Sequence, residues 1–328
     1  MSNKPLLSLI IAVYNGEKFL ATFFTSIEQQ SLSNYELIVV NDGSTDVSAK
    51  IIATWQSKFD AMQVINQSNQ GVSVARNSGM AAATGKYIVF PDIDDKIYPG
   101  IYLTLLDMAE KGALDVATCN GRYVYQHGKA RHSIFPLERL YSTPVLLGPV
   151  WLKQALDPRK FLHVTCLNIY CHDFLTAHNF IFEPGLRHQD NLWTTGIFLT
   201  SACVQYTDQI FYDHYIHSES VSHEPDTDET LMCSARPYMK IIYMLDQINR
   251  RHIEQTRSIR ACRWQIAKEG PGIIHTFDNM QEHHYKHLII KEFFDKGSWN
   301  LIWRYAQDLR LRWCLSRRYL RLRKALIH

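Results

Sequence analysis

From Leu6 to Phe90 the chain alternates between short apolar runs and longer stretches with a helical apolar period, and this alternation limits the fold more than any other feature. Leu6 to Val13 is almost uninterruptedly apolar, the pattern of a strand covered on both faces in a parallel sheet. Tyr14-Asn15-Gly16 ends that run, and Glu17 to Gln29 then carries Phe19, Leu20, Phe23, Phe24 and Ile27 at helical spacing. Glu36 to Val40, Ala61 to Asn66 and Lys86 to Phe90 read as further strands with helices between them. Ser44 or Thr45 is the expected N-cap of the second helix. Strands that alternate with helices imply an α/β domain with a mostly parallel sheet and right-handed crossovers. No GxGxxG follows the first strand, which argues against a nicotinamide dinucleotide enzyme.

The fourth run ends in Asp92-Ile93-Asp94-Asp95. Three carboxylates within four residues repel one another unless a cation neutralises them. In an open α/β sheet, ligands bind beyond the carboxyl ends of the strands. The segment therefore reads as a cation-seeking loop in a ligand crevice. Hard oxygen ligands favour Mg²⁺ or Mn²⁺, ions that typically bind through one or two carboxylates plus substrate phosphates.

Three strings, SLIIAVYN, NDGSTD and ARNSGMAAATGKYIVFPDIDD, occur in this order over the first third of the chain. Together they resemble the family 2 glycosyltransferases, enzymes of GT-A fold that transfer a sugar from a nucleotide donor with inversion. GLRHQDNLWTT and YIHSESVSH fit later motifs of the family more loosely, and LLGPVWL is most similar to members acting on the lipopolysaccharide core, notably glucuronosyltransferases of a core heptose. The resemblance implies a UDP-sugar donor, with UDP-glucuronate or a related hexuronate as the first choice. It implies that Ala12, Val13 and Tyr14 line the uracil pocket, with Glu17 close by and Asp42 accepting from the ring. Arg76 would clamp the diphosphate or pair with the carboxylates. Asp94 would face the metal, joined by Asp95, with Asp92 nearer the donor; the motif itself does not decide among the three. Asp190 would be the base that deprotonates the acceptor, with His188 the alternative, and His217, Ser220 and Ser222 would meet the diphosphate or metal. Two departures stand out: Ala12 replaces a usual Pro and Gln189 a usual Glu.

The rest of the chain is read more coarsely. Seven scattered cysteines without a CxxC pair favour reduced thiols in the cytosol. No apolar stretch reaches the length of a membrane span, and the apolar N-terminus reads as a strand rather than a signal peptide. Charge divides unevenly: residues 1–110 hold 7 Lys/Arg against 11 Asp/Glu, and residues 235–328 hold 19 against 8. The expected organisation is a GT-A domain over 1–225 and a basic, helical region over 226–328. In that region Trp299, Ile302, Trp303, Ala306, Leu309, Trp313 and Leu320 read as one apolar stripe interleaved with Arg304, Arg310, Arg312, Arg317, Arg318, Arg321, Arg323 and Lys324. Tryptophan and arginine combined in this way fit an interfacial helix on an anionic membrane, whereas no nucleic-acid motif is present. The composite expectation is a metal-dependent transferase peripheral to the cytoplasmic face of the inner membrane, acting on the lipopolysaccharide core or on another surface glycan such as O-antigen or capsule. A non-catalytic nucleotide-sugar binder is the rival, and the intact Asp42, Asp94 and Asp190 argue against it.

Overall fold

The computed structural model describes residues 4–125, 132–156, 164–186, 189–216 and 227–326. His188, His217, Ser220 and Ser222 lie outside these residues. The chain divides into two compact units: Met1–Gly185 with Trp193–His217, and Leu186–Leu192 with Ser218–His328.

The first unit is built on one sheet. Its parallel part comprises β1 (Leu7–Val13), β2 (Tyr35–Asp42), β3 (Met62–Gln67) and β4 (Tyr87–Val89), in the spatial order β3-β2-β1-β4. The intervening helices are α1 (Leu20–Glu28), α2 (Ser48–Gln56) and α3 (Val72–Ala82). The apolar runs are covered as their composition demands: Leu7, Leu9, Ile10 and Ile11 in β1 and Leu37 to Val40 in β2 are buried. Helix α3 lies so close to β1 that a Cβ on Gly79 would collide with the Ile10 side chain.

Beyond β4 the sheet changes character. The strand β8 (Asn168–Cys171) pairs antiparallel with β4 and with β6 (Val116–Tyr125), which in turn runs parallel to β9 (Val204–Ile216). Short β5 (Lys96–Ile97) closes that edge against β9, and β7 (His132–Ser133) pairs with β6. Helices α4 (Ile101–Gly112), α5 (Gly148–Leu156) and α6 (His172–Ala177), with α7 (Asp190–Thr200) from Trp193 onward, complete this half. The fold is therefore α/β with a mostly parallel sheet.

One capping expectation fails. Helix α2 starts at Ser48, and its first amide donates to Asp46 Oδ1 at 2.9 Å. Ser44 and Thr45 instead reach across to the loop after β1: the Asn15 amide donates to Ser44 Oγ (3.1 Å), and the Thr45 amide donates to Asn15 Oδ1 (2.8 Å). Local spacing favoured a cap, but long-range pairing of two strand-end loops took these hydroxyls.

The second unit is helical: α8 (Asp228–Arg251), α9 (Ile253–Ser258), α10 (Arg260–Asn279), α11 (His283–Asp295), α12 (Ser298–Tyr305) and α13 (Leu309–Lys324). Ile241, Ile242, Ile273, Phe277, Ile290 and Phe293 anchor its core. Buried Asp246 is held by the Tyr305 hydroxyl at 2.5 Å and by Arg250 Nε at 2.8 Å. The single stripe read from Trp299 to Leu320 is in fact broken. Helix α12 ends at Tyr305 and Asp308 caps α13. Trp299, Ile302 and Ala306 face the core, but α13 buries Leu315 and Leu322 and turns Leu309, Trp313 and Leu320 outward. The break resets the helical phase, so residues in register along the sequence end on opposite sides.

Candidate active site

Two loops at the carboxyl ends of β1 and β2 are sewn together. Besides the Asn15 bonds, the Gly16 amide donates to Ser48 Oγ, the Glu17 amide to Asp46 Oδ2, and the Val47 amide to Glu17 Oε2. Glu17 is thus a bridge between loops. Val13 is buried and Ala12 half-buried, whereas Tyr14 is exposed.

Asp42 ends β2 almost fully buried. Its Oδ1 accepts from Gln67 Nε2 (2.8 Å) and the Gln70 amide (3.0 Å), and its Oδ2 accepts from the Gly71 amide (2.8 Å). A carboxylate has about four acceptor positions, so three are spent on fixing the turn into α3. The next residue, Gly43, has φ +72°, and a Cβ there would stand 2.7 Å from the Asn69 amide nitrogen. Only glycine fits this left-handed, crowded position.

The acidic loop follows β4. Phe90 and Phe182 form its floor, with Phe182 stacked on Trp193 at 3.8 Å between ring centroids. Arg76, buried on α3, has its guanidinium 5.1 Å above the Phe182 ring and donates to Asp92 Oδ1 at 2.8 Å. Of the two roles expected of Arg76, the pair with a carboxylate is present. Asn77 secures the same floor by exchanging two hydrogen bonds with the Phe182 backbone.

Asp95 is sealed inside. Its Oδ2 accepts from His214 Nδ1 and its Oδ1 from the Tyr215 amide, both at 2.9 Å. Burial pushes Asp95 up to about 6, against the His214 hydrogen bond and with the repulsion of Asp92 and Asp94. Burial alone would lower His214, but the bond to Asp95 and the surrounding carboxylates outweigh it and raise it to about 9. Desolvation also raises Asp92; the attraction of Arg76 opposes that rise and the charge of Asp94 adds to it. Behind the loop, buried Asp213 accepts from Arg122 Nε (2.8 Å) and from the Tyr98 hydroxyl (2.7 Å).

Asp92, Asp95 and Cys166 bring three ligand atoms within 4.8 Å of one another, whereas Asp94 lies outside that group. The two carboxylates suit a hard divalent ion; the thiol is soft and does not. Both Asp95 oxygens accept hydrogen bonds from the protein, Asp92 Oδ1 accepts from Arg76, and Asp94 adjoins the group in the same loop. Asp190 opens α7 and belongs to the second unit, where the adjacent Asn191 donates to Glu269 Oε1 at 3.4 Å.

Several of these residues escaped sequence reasoning. His214 lies three positions before His217, just ahead of YIHSESVSH, and nothing local ranks one histidine above the other. Arg122, Asp213 and Cys166 come from strands and turns whose neighbours are fixed only by the sheet.

The fold and this acidic site define a nucleotide-sugar transferase of GT-A type. Crystallised Staphylococcus aureus TarS (residues 1–349), in complex with UDP-GlcNAc, superposes with a TM-score of 0.60 at 18% identity, covering 92% of this chain and 91% of that one. The mannosyltransferase PcManGT of Pyrobaculum calidifontis, in complex with GDP-Man and Mn²⁺, gives 0.53 at 12% identity over 93% and 85%. Residues 8–150 match glycosyl transferase family 2. The uncharacterized glycosyltransferase YibD of Escherichia coli K12 is 34% identical over 297 residues, 90% of this chain and 86% of that protein. The chain belongs to glycosyl transferase family 2.

Proposed function

We propose that this glycosyltransferase moves a sugar from a UDP donor, with inversion, to a glycan of the cell envelope, and that a divalent ion assists. The observation that carries the reading is the convergence of the Tyr14, Asp42 and Asp92–Asp95 segments at the carboxyl ends of adjacent parallel strands. The Tyr14 ring and the Asp42 turn form the base pocket, with the remaining Asp42 lone pair available to a ring N–H. Arg76 holds Asp92 in place, and Asp95, tied to His214 and Tyr215, braces the loop from behind. Asp94 and Asp92 would hold Mg²⁺ or Mn²⁺, which when bound offsets charge on the diphosphate. Asp190 is the proposed base: it takes the proton from the acceptor hydroxyl as that oxygen bonds to the anomeric carbon and the bond to UDP breaks. UDP bound to TarS supports the uridine choice. The LLGPVWL and HQD segments favour a hexuronic acid donor and a lipopolysaccharide-core acceptor.

A lipid-borne acceptor requires the enzyme at a membrane surface. No helix among the described residues is long and apolar enough to cross a membrane, so contact would be peripheral. Helix α13 fits that role, with exposed Leu309, Trp313 and Leu320 and seven basic residues but no acidic one.

Thermal shift with UDP-glucuronate, UDP-GlcNAc, UDP-glucose and GDP-mannose, each with and without Mn²⁺, tests the donor reading. The expected result is Mn²⁺-dependent stabilisation by a UDP-sugar that is lost in Asp94→Ala. Stabilisation by GDP-mannose alone would overturn the uridine assignment.

A further inference from the structure

The second unit contains a cavity of about 470 Å³ between α11, α12 and α13. Its walls are Phe294, Trp299, Trp303, Tyr319 and Leu320, with Arg323 at its edge. That volume lies in the range of roughly 300–1,000 Å³ typical of small-ligand pockets, which are mostly apolar with a few polar groups fixing orientation. The rings are already packed among themselves: Trp299 stacks on Trp303 at 6.1 Å and lies 5.0 Å from Tyr319. The Arg323 guanidinium lies over Phe294 at 4.6 Å, and its Nε donates to the Tyr319 hydroxyl at 3.2 Å. The cation is thus held over the aromatic wall, a pre-organised arrangement for an anionic oxygen.

The surroundings choose the ligand. At helical spacing Leu309, Trp313 and Leu320 share one outward face of α13; Arg310, Arg317 and Arg321 flank it on one side, and Arg312 and Arg323 on the other. Leu309 is 84% exposed, Trp313 63% and Leu320 65%. An apolar strip bordered by cations complements hydrocarbon lying beneath anionic headgroups. A phosphate backbone would satisfy the arginines but leave the leucines and the cavity unanswered. Leu320 belongs to both strip and cavity, so the cavity opens at the surface that would meet the lipid.

We infer that this cavity is a binding site for a single anionic phospholipid, with an acyl chain between the aromatic walls and the phosphate on Arg323. The inference rests on the membrane reading of α13 and goes beyond it: adsorption needs only the outer face, whereas a site takes up one lipid molecule. Dihexanoyl-phosphatidylglycerol, kept below its micelle concentration, provides the test by calorimetry on the full chain. Cosedimentation with vesicles of phosphatidylglycerol and phosphatidylcholine, or of phosphatidylcholine alone, runs in parallel. Ser316 and Asn300 are exposed residues lining the cavity from opposite helices, so Ser316→Trp and Asn300→Trp fill it with little demand on the core. Saturable binding of the monomeric lipid, weakened at least tenfold in both variants while the melting temperature holds, is the expected result. Arg310→Glu with Arg317→Glu should weaken vesicle binding and leave monomer binding within about threefold. If wild type binds phosphatidylglycerol vesicles but no monomer, or both filled variants bind it like wild type, the site is wrong and only adsorption stands. Failure of wild type to bind any vesicle, or tighter binding of single-stranded RNA, would overturn the membrane reading and the site together.

Discussion

The two units handle charge in opposite ways. In the α/β unit the ionised groups that matter are matched, with one buried member in each pair: Arg76 with Asp92, Asp213 with Arg122, Asp95 with His214. Most cations of α13 lie outside, two of them over exposed rings, Arg312 over Trp303 and Arg317 over Trp313. Burying a charge costs several kcal/mol that only close pairing offsets, so the first arrangement fixes atoms in space. Surface charge costs little and contributes little stability, so the second is free to face a partner.

The sharpest way to break that contrast is Asp92→Ala. It removes a partner of a guanidinium whose side chain is only 5% exposed, although Asp92 itself is 35% exposed, so unfolding free energy should fall by about 1–3 kcal/mol. Transferase activity should fall at least about a hundredfold. Equilibrium urea unfolding and a UDP-release assay report the two effects separately, and unchanged stability would show that the pair does not brace the loop.

Next in size is Gly43→Ala. Its left-handed φ and the Asn69 nitrogen 2.7 Å from the added carbon should cost about 1–3 kcal/mol. Donor affinity should weaken with it, because the same turn carries Asp42. Tyr305→Phe probes the exception in the helical unit, where Asp246 is buried. Losing its 2.5 Å bond should cost about 1–3 kcal/mol and leave UDP-sugar binding intact.

A smaller effect is a pH dependence. Because His214 is raised to about 9 in the fold from 6.5, its stabilisation is complete below pH 6.5 and is lost as pH rises through 9. Asp95, raised to about 6 from 3.8, contributes in the same direction but at lower pH, losing its share as pH rises through 6. In chelator, the melting temperature should therefore decline between pH 6.5 and 9, and His214→Asn should flatten that decline. Smallest for stability is Leu309→Ser, at a residue 84% exposed. It should change unfolding free energy by less than about 0.5 kcal/mol yet reduce cosedimentation with phosphatidylglycerol vesicles.

The strand-helix alternation and the acidic loop were legible because they are local. A parallel strand covered on both faces must be apolar along its length, and carboxylates three apart announce themselves. From these the sequence by itself determined a mostly parallel α/β half and the place of the loop, and its ordered motif strings carried the resemblance to the family. Partners across the sheet were not legible. Asp95 meets His214 119 residues away and Asp42 closes on Gly71 29 residues away, and spacing along the chain carries no information about either. The three-residue interruption between α12 and α13 likewise decided that Trp313 faces outward while Trp299 faces the core. Only the tertiary structure could decide these matters, because burial and pairing depend on what lies opposite a residue once sheet and helices have packed.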